Sequence, residues 1–404
     1  CKLGGVCKSS EEAAMKGKPV VTRVELHEFE HELKDVGKDL GFALGPFYEP
    51  GSTVKRHAVA VRIHTDVGVT GEYVSIAPAT LGQIRLFAEY LVGRNALERE
   101  RFYNEAKAIL RKHDKMGIGP VDTALWDLAG KYHDSPIYEL LGGYRTRLPA
   151  YASTYHGDRS AGGLNSPEAF ADFAEQCLSM GYRGFKIHGW AAVPIEQEVA
   201  TVHAVGKRVG GKMDLMTDPC CAYNTFADTL RVGKACDEEG FFWYEDPMKD
   251  GGVSQHAHRK LRQMIKTPLL QGEHIHLVES HLDFSLAEAT DFVRADPDYD
   301  GGITGVMKIA HAAEGIGMDV ELHIAGPAQR HCMAAMRNSN YYEMGLVHPR
   351  IPNMMPPVYK DGYRDELDSI DASGCVDVPQ GPGLGVEYDW DFILKHRVDG
   401  AEFR

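Results

Sequence analysis

The chain has 404 residues, a formal charge of −14, and 43% hydrophobic against 25% charged residues, a balance ordinary for a globular protein but too long for one small core. With no long basic run to offset the acid excess, the charge argues against a nucleic-acid or anionic-membrane partner. A small anionic substrate is compatible with it, because a bound cation and a local lysine reverse the field inside a cleft.

Residues 1–19 are polar and carry no signal-peptide core, and no run of 18 apolar residues exists to span a membrane. The eight cysteines include no C-x-x-C pair, which predicts reduced thiols in a cytoplasmic protein. From Val20 to about Val74 the pattern is β: Val59, Val61 and Ile63 alternate, and Asp66-Val67-Gly68 supplies a turn. The glycines, prolines and aromatics of residues 41–50 predict irregular structure, either a mobile lid over a pocket or an ordinary packed Ω-loop. Residues from about Leu81 to Lys112 read as helical. Pro120 to about Lys131 forms a second helix, with Val121, Leu125, Leu128 and Ala129 on one stripe.

After Gly142-Gly143 the pattern becomes strand–helix alternation. Leu148 to Ser153 is the first strand. Ser166-Pro167-Glu168 opens a helix with stripe Phe170, Phe173, Ala174, Cys177 and Leu178, and Gly181 closes it. Gly184-Phe185-Lys186-Ile187-His188 follows. Then come three short apolar runs that each end in an acid: Asp218, Glu245 and Glu273, 27 and 28 residues apart. That spacing suits a strand, a helix and two loops. Phe292 to Asp296, Val320 to His323 and Tyr341 to Glu343 continue the series. Regular repetition of this kind predicts a (β/α)-barrel. A doubly wound sheet would need a glycine-rich phosphate turn after its first strand, and none follows Ser153. Residues 379–385 read as loop, in a tail expected to pack back on the N-terminal part.

Acids at the ends of parallel strands converge on one rim. Asp218, Glu245 and Glu273 therefore form a candidate metal site, and carboxylates without paired His or Cys favour Mg2+ over zinc. Lys186 and His188, two apart on a strand, both face the interior, and a lysine beside a cation is expected to have a depressed pKa and act as a base. Asp296 and His323 end neighbouring strands, so the acid can orient the imidazole as a general acid or base. Glu343 is placed either to donate a proton to a developing oxyanion or to support the barrel wall. His27, His113 and His256 read as surface residues. A metal with base candidates on both sides suits removal of a proton α to a carboxylate, through an enediolate.

Over nearly its whole length the chain resembles the mandelate-racemase subgroup of the enolase superfamily. The resemblance rests on Ala124-Leu125-Trp126-Asp127-Leu128-Ala129-Gly130-Lys131 with Leu140-Leu141-Gly142-Gly143, and on Gly184 to His188. It continues through Glu245-Asp246-Pro247, Gly272-Glu273-His274 and Asp296 with Gly301-Gly302-Ile303-Thr304. It implies an α/β fold: a modified (β/α)7β TIM-type barrel with an N-terminal α+β capping domain completed by the C-terminal tail. The corresponding division is a cap over residues 1–146, a barrel over 147–372 and a returning segment over 373–404. The resemblance also implies Mg2+ on Asp218, Glu245 and Glu273, an Asp296–His323 dyad, Lys186 as the opposing acid/base and Glu343 as donor to the substrate carboxylate. It places a specificity loop at 41–50 and implies a homo-oligomer. Two departures stand out. His188 occupies a position where many relatives carry a second lysine, and Asp218-Pro219-Cys220 lacks the asparagine that often follows the first ligand.

The activity implied is dehydration of an acid sugar to a 2-keto-3-deoxy acid, with His323 and Lys186 dividing the acid and base roles. Racemisation or epimerisation, and cycloisomerisation of a sugar-acid lactone, use the same pair. An amidohydrolase would need a His-x-His after the first strand, where Tyr151-Ala152-Ser153 stands. A silent scaffold would have lost ligands or bases.

Overall fold

A computed structural model describes residues 17–38, 46–190 and 193–404. Three antiparallel strands open the described chain: β1 (Val21–Lys38), β2 (Pro46–Thr65) and β3 (Thr70–Ser75). Helices α1 (Thr80–Ile84), α2 (Ala88–Leu91), α3 (Arg99–Ile109), α4 (Ile118–His133) and α5 (Ile137–Leu140) follow.

Strands and helices then alternate without a break: β4 (Arg147–Thr154), α6 (Pro167–Met180), β5 (Gly184–His188), α7 (Ile195–Val209), β6 (Asp214–Asp218), α8 (Phe226–Glu239) and β7 (Trp243–Glu245). The series runs on through α9 (Gln255–Arg262), β8 (Leu269–Gln271), α10 (Leu277–Leu286), β9 (Phe292–Ala295), α11 (Gly302–Gly315), β10 (Asp319–Leu322), α12 (Pro327–Ala335) and β11 (Tyr342–Val347). The tail supplies β12 (Cys375–Asp377), α13 (Trp390–Lys395) and β13 (Arg397–Phe403).

The parallel strands stand in the order β10-β9-β8-β7-β6-β5-β4-β11, which is the (β/α)7β arrangement. Between β10 and β11 the connection is made by side chains: Glu321 accepts from the Asn340 and Tyr341 amides at 3.0 and 3.1 Å, and Glu343 accepts from the Ile324 amide at 2.6 Å. The other sheet has the order β13-β1-β2-β3. The tail thus does return to the first strands, and it does so as an added edge strand. On the way β12 pairs with β4.

Helix α4 joins the two sheets. Its Asp127 accepts from the Glu72 amide on β3 at 2.8 Å and from the Leu384 amide of the tail at 2.9 Å, with Lys131 at 2.7 Å. On α11, Thr304 donates its amide and hydroxyl to Asp122 of α4 at 2.9 and 2.7 Å. The cap is therefore held over the barrel by buried polar contacts as well as by apolar packing.

Several sequence expectations need correcting. Of the predicted lid 41–50, residues 41–45 lie outside the described residues, whereas 46–50 are regular strand, with Pro46, Phe47 and Tyr48 opposite Lys38, Gly37 and Val36. Pro46 is the first residue of β2, where its missing N–H costs no ladder bond. The single helix expected over 81–112 is three helices. Gly93, at φ 81°, ends the second, and its amide, with that of Ala96, pairs with Val21 and Pro19 beside β1. His27 is 7% exposed and packs edge-on against Trp390 of the returning tail, whereas His113 and His256 are exposed as expected. Ser166 caps α6 through the Ala169 amide, and Gly181 closes it in the left-handed conformation, as the sequence indicates.

Candidate active site at the barrel mouth

Inward-facing side chains of the barrel lie in two layers, set by the two-residue period of a strand. The lower layer is apolar: Tyr151, Met216, Trp243 and Leu270 form one cluster, with Phe292 and Tyr341 packed against it. Two residues further along, the same strands carry Ser153, Asp218, Glu245, Arg294 and Glu343, and Lys186 joins them from β5. Lys186, Glu245 and Arg294 are 0% exposed, Glu343 1% and Asp218 2%, so bulk solvent screens this layer little. Phe185, on the opposite face of β5, packs on Phe173 of α6, as alternation requires.

Asp218, Glu245 and Glu273 come together. A ligand oxygen from each lies within 4.8 Å of the others. Asp218 and Glu245 are the last residues of β6 and β7, while Glu273 stands two residues beyond β8. The Asp218 carboxylate also accepts from the Cys220 amide at 2.8 Å, which is aimed by a left-handed Cys220 (φ 48°). A backbone donor thus supports the first acid where the sequence offers no asparagine.

Lys186 Nζ lies 2.9 Å from Glu245, 2.9 Å from Glu343 and 3.3 Å from Asp218. Burial opposes its charge, but Glu245 and Glu343 outweigh burial and raise its pKa well above the ordinary lysine value. Three carboxylates thus face the lysine from three strands and hold its proton while no cation shares them. His188 donates Nδ1–H to the Thr154 carbonyl at 2.6 Å, which turns Nε2 toward Asp218 at 3.3 Å.

Across the mouth, His323 Nδ1 lies 2.6 Å from Asp296 and Nε2 lies 3.4 Å from Glu273. Burial pushes the imidazole pKa down, but Glu273 and the Asp296 hydrogen bond carry it up to about 9. Tyr299 stacks on its ring at 5.6 Å. The two candidate proton-transfer groups therefore flank the acid trio from different sides, Lys186 beside Asp218 and Glu245, His323 beside Glu273.

Glu343, for which the resemblance implies a donor role, is surrounded by donors and cations. Burial favours its protonated form, but Arg294, Lys186 and His323 hold it well below the usual carboxylate range. It accepts from the Ser153 hydroxyl at 2.7 Å and the Ile324 amide at 2.6 Å and pairs with Arg294. In this arrangement it is an acceptor that neutralises two buried cations.

Arg294 is the residue the sequence reading missed. Its Nε lies 2.8 Å from Glu245 as an ion pair, and its Nη1 donates to the Leu322 carbonyl at 2.9 Å. A signal existed: a charged residue in the apolar run Phe292–Ala295, in phase with Asp296, points into the barrel. Among the described residues two further side-chain groups have metal-ligating composition, His188-Asp218-Cys220 and Cys221-Asp246-His274. No described cysteine is disulfide-bonded; Cys177, Cys220, Cys221, Cys236, Cys332 and Cys375 are free. No helix of the described residues is long and apolar enough to cross a membrane.

Comparison with known proteins places this geometry among relatives. Residues 169–392 match the family described as enolase C-terminal domain-like, and residues 46–142 match the mandelate racemase/muconate lactonizing enzyme N-terminal domain. D-gluconate dehydratase of Thermoproteus tenax is 26% identical over 70% of this chain, a match that spans 57% of that protein's length. D-galactarolactone cycloisomerase of Agrobacterium fabrum is 26% identical over 94% of this chain and 99% of that one. Among solved structures, D-glucarate dehydratase from Agrobacterium tumefaciens, complexed with magnesium, superposes with a TM-score of 0.84 at 29% identity, covering 95% of this chain and all of that one.

Proposed function

The chain belongs to the mandelate racemase/muconate lactonizing enzyme family of enolase-like proteins, and from that premise we propose that it is an acid-sugar dehydratase. The observation that carries the reading is the flanking of three converged carboxylates by Lys186 on one side and the Asp296–His323 pair on the other. Relatives named as dehydratases of gluconate and glucarate support the substrate class. In this reading the cap is residues 1–146, the barrel 147–372, and 373–404 the segment that completes the cap.

Asp218, Glu245 and Glu273 would hold the divalent ion. The donor set fits Mg2+: all three ligands are hard carboxylates, and they sit close enough to share one ion. When bound, Mg2+ supplies Lewis-acid stabilisation of negative charge on the substrate carboxylate. The protein's own residues do the rest. One of Lys186 and His323 takes the proton from the carbon α to the carboxylate, giving an enediolate, and the other gives a proton to the departing β-hydroxyl. His323, which Asp296 orients through Nδ1, is assigned the acid for the hydroxyl. Lys186 is assigned the α-proton base in the state where a cation held by Asp218 and Glu245 would offset the carboxylate charge that otherwise keeps it protonated, and the roles exchange for substrates of opposite configuration. Arg294 and Glu343 keep the lysine and the acids in register, and the apolar layer beneath excludes water from below.

The test is a panel of mono- and diacid sugars with Mg2+, read by semicarbazide trapping of a keto acid. A keto product that disappears on chelation and returns with Mg2+ is expected. Failure of every acid sugar to yield one would sink the dehydratase reading. A cycloisomerase is the second reading, supported by the nearly full-length match to D-galactarolactone cycloisomerase and by His188 beside Asp218. It predicts rearrangement of a lactone ring with no semicarbazone. Magnesium-dependent exchange of the substrate α-proton with D2O is common to both readings, and its absence across the panel would argue for a scaffold.

A further inference from the structure

Beside the acid trio, the three loops that leave β6, β7 and β8 also bring a second set of side chains together. Cys221, Asp246 and His274 each present a ligand atom within 4.8 Å of the other two. Asp246 is 1% exposed, yet neither carboxylate oxygen receives a hydrogen bond from any described residue. His274 Nε2 lies 3.4 Å from its Oδ2. A buried carboxylate with unsatisfied oxygens is costly, and this one is aimed at a thiol and an imidazole.

The backbone is shaped to the same end. Cys221 and Asp246 are non-glycine residues at φ 59° and 32°, conformations that cost energy unless the surroundings fix them. Here the Cys221 amide donates to the Asp246 carbonyl at 2.6 Å and locks the two loops. Gly252, at φ 73°, closes the far side: a Cβ there would lie 2.7 Å from Asp246 Oδ1 and 3.0 Å from the His274 ring. Glycine keeps that space open.

We infer that Cys221, Asp246 and His274 form a second cation site, one that takes a borderline divalent ion such as Zn2+ or Co2+ and leaves Mg2+ to the neighbouring carboxylates. The donor chemistry makes the distinction. Thiolate and imidazole favour Zn2+ and Co2+, whereas Mg2+ selects oxygen. Binding exchanges the Cys221 S–H proton, released to solvent, for a metal–sulfur bond. Three protein ligands leave a fourth tetrahedral position for water or a small anion. Asp246 and His274 are each one peptide bond from Glu245 and Glu273, so an ion here would pull directly on the two loops that carry the oxygen ligands.

The experiment is a Co2+ titration of the chelator-treated full-length protein in excess Mg2+, followed by the near-ultraviolet thiolate-to-cobalt absorption. One equivalent with a thiolate band is expected in the parent protein and in C220S, the neighbouring cysteine of the His188-Asp218-Cys220 group. C221S is expected to lose the band. H274Q, at a side chain 38% exposed and so tolerant of replacement, is expected to weaken Co2+ binding by more than ~10-fold. Thermal unfolding of each variant confirms that it is folded. The inference is overturned if the parent shows no thiolate band in the presence of Mg2+, if C220S abolishes the band, or if folded C221S or H274Q binds Co2+ as the parent does.

Discussion

The barrel interior places two layers on the same strands, and they obey opposite rules. In the lower layer Tyr151, Met216, Trp243 and Leu270 bury apolar surface against one another, each contributing on the order of 1.5–3 kcal/mol by removal from water. Two residues up, Lys186, Asp218, Glu245, Arg294 and Glu343 are as fully buried, but every one of them loses hydration that its partners only roughly repay. A well-packed apolar layer would serve stability at least as well. The lower layer is what the fold needs, and the upper is the one that the proposed proton transfer uses.

The sharpest way to separate the layers is to remove one residue from each. Lys186→Met replaces the amine with a side chain of similar length. Turnover per folded molecule is expected to fall by ~10²–10⁴-fold, the usual contribution of a positioned proton-transfer group. Leaving Asp218, Glu245 and Glu343 without their shared cation should also cost ~3–5 kcal/mol of stability, read by denaturant unfolding. Undiminished turnover would remove Lys186 from the mechanism. Leu270→Ala, in the floor, is the reverse case: ~2–5 kcal/mol of stability lost to the cavity, with turnover per folded molecule reduced far less than in the lysine variant. If the two variants lost activity equally, the division of labour between layers would fail.

Much of this arrangement is legible in the chain, because the period of a strand fixes which residues share a face. The converging acids, the inward pair Lys186 and His188, and the Asp296–His323 partnership all follow from parity and spacing. What parity leaves out is which strands meet when the sheet curls. Glu343 acts as an acceptor because β11 lies against β4, bringing it to Ser153, and because Arg294 reaches across from β9. No local pattern at Tyr341–Glu343 records those neighbours. The ion pairs of Lys186 are hidden for the same reason, since its three carboxylate partners come from β6, β7 and β11. The segments at 46–50 and 85–98 are the local failures. In both, backbone pairing with or beside β1 overrides a turn-like or helical composition.

A buried carboxylate outside the site extends the contrast to pH. Asp122, on α4, accepts from the neutral amide and hydroxyl of Thr304, and burial raises its pKa to about 7. Its folded pKa lies above the unfolded value of ~3.9, so the stability it contributes is complete below about pH 4 and is lost as pH rises through 7. Asp218 and Glu343 have the opposite sign. Burial raises them, but Lys186 and Arg294 respectively hold them well below the usual range, so their contribution is present above the unfolded pKa and is lost on acidification. Asp122→Asn is therefore expected to flatten the stability profile between about pH 4 and 7, by roughly 1.4 kcal/mol for each unit separating the two pKa values. Its acid-side loss should match the parent's. Chemical unfolding at several pH values checks both limbs, and an unchanged slope between about pH 4 and 7 would contradict the assignment.

Ser153→Ala should have the smallest effect and tests how tightly the upper layer is held. Ser153 is buried at the end of β4 and donates to Glu343 Oε1 at 2.7 Å, the oxygen that also faces Lys186. Removing the hydroxyl leaves Glu343 still bound by Arg294, Lys186 and the Ile324 amide. The expected cost is ~1 kcal/mol of stability, the net worth of one hydrogen bond, with a change in turnover well below that of Lys186→Met. A much larger loss of turnover at intact stability would mean that the serine hydroxyl fixes the lysine through Glu343, and that positioning in this layer depends on its weakest contact rather than on its ion pairs.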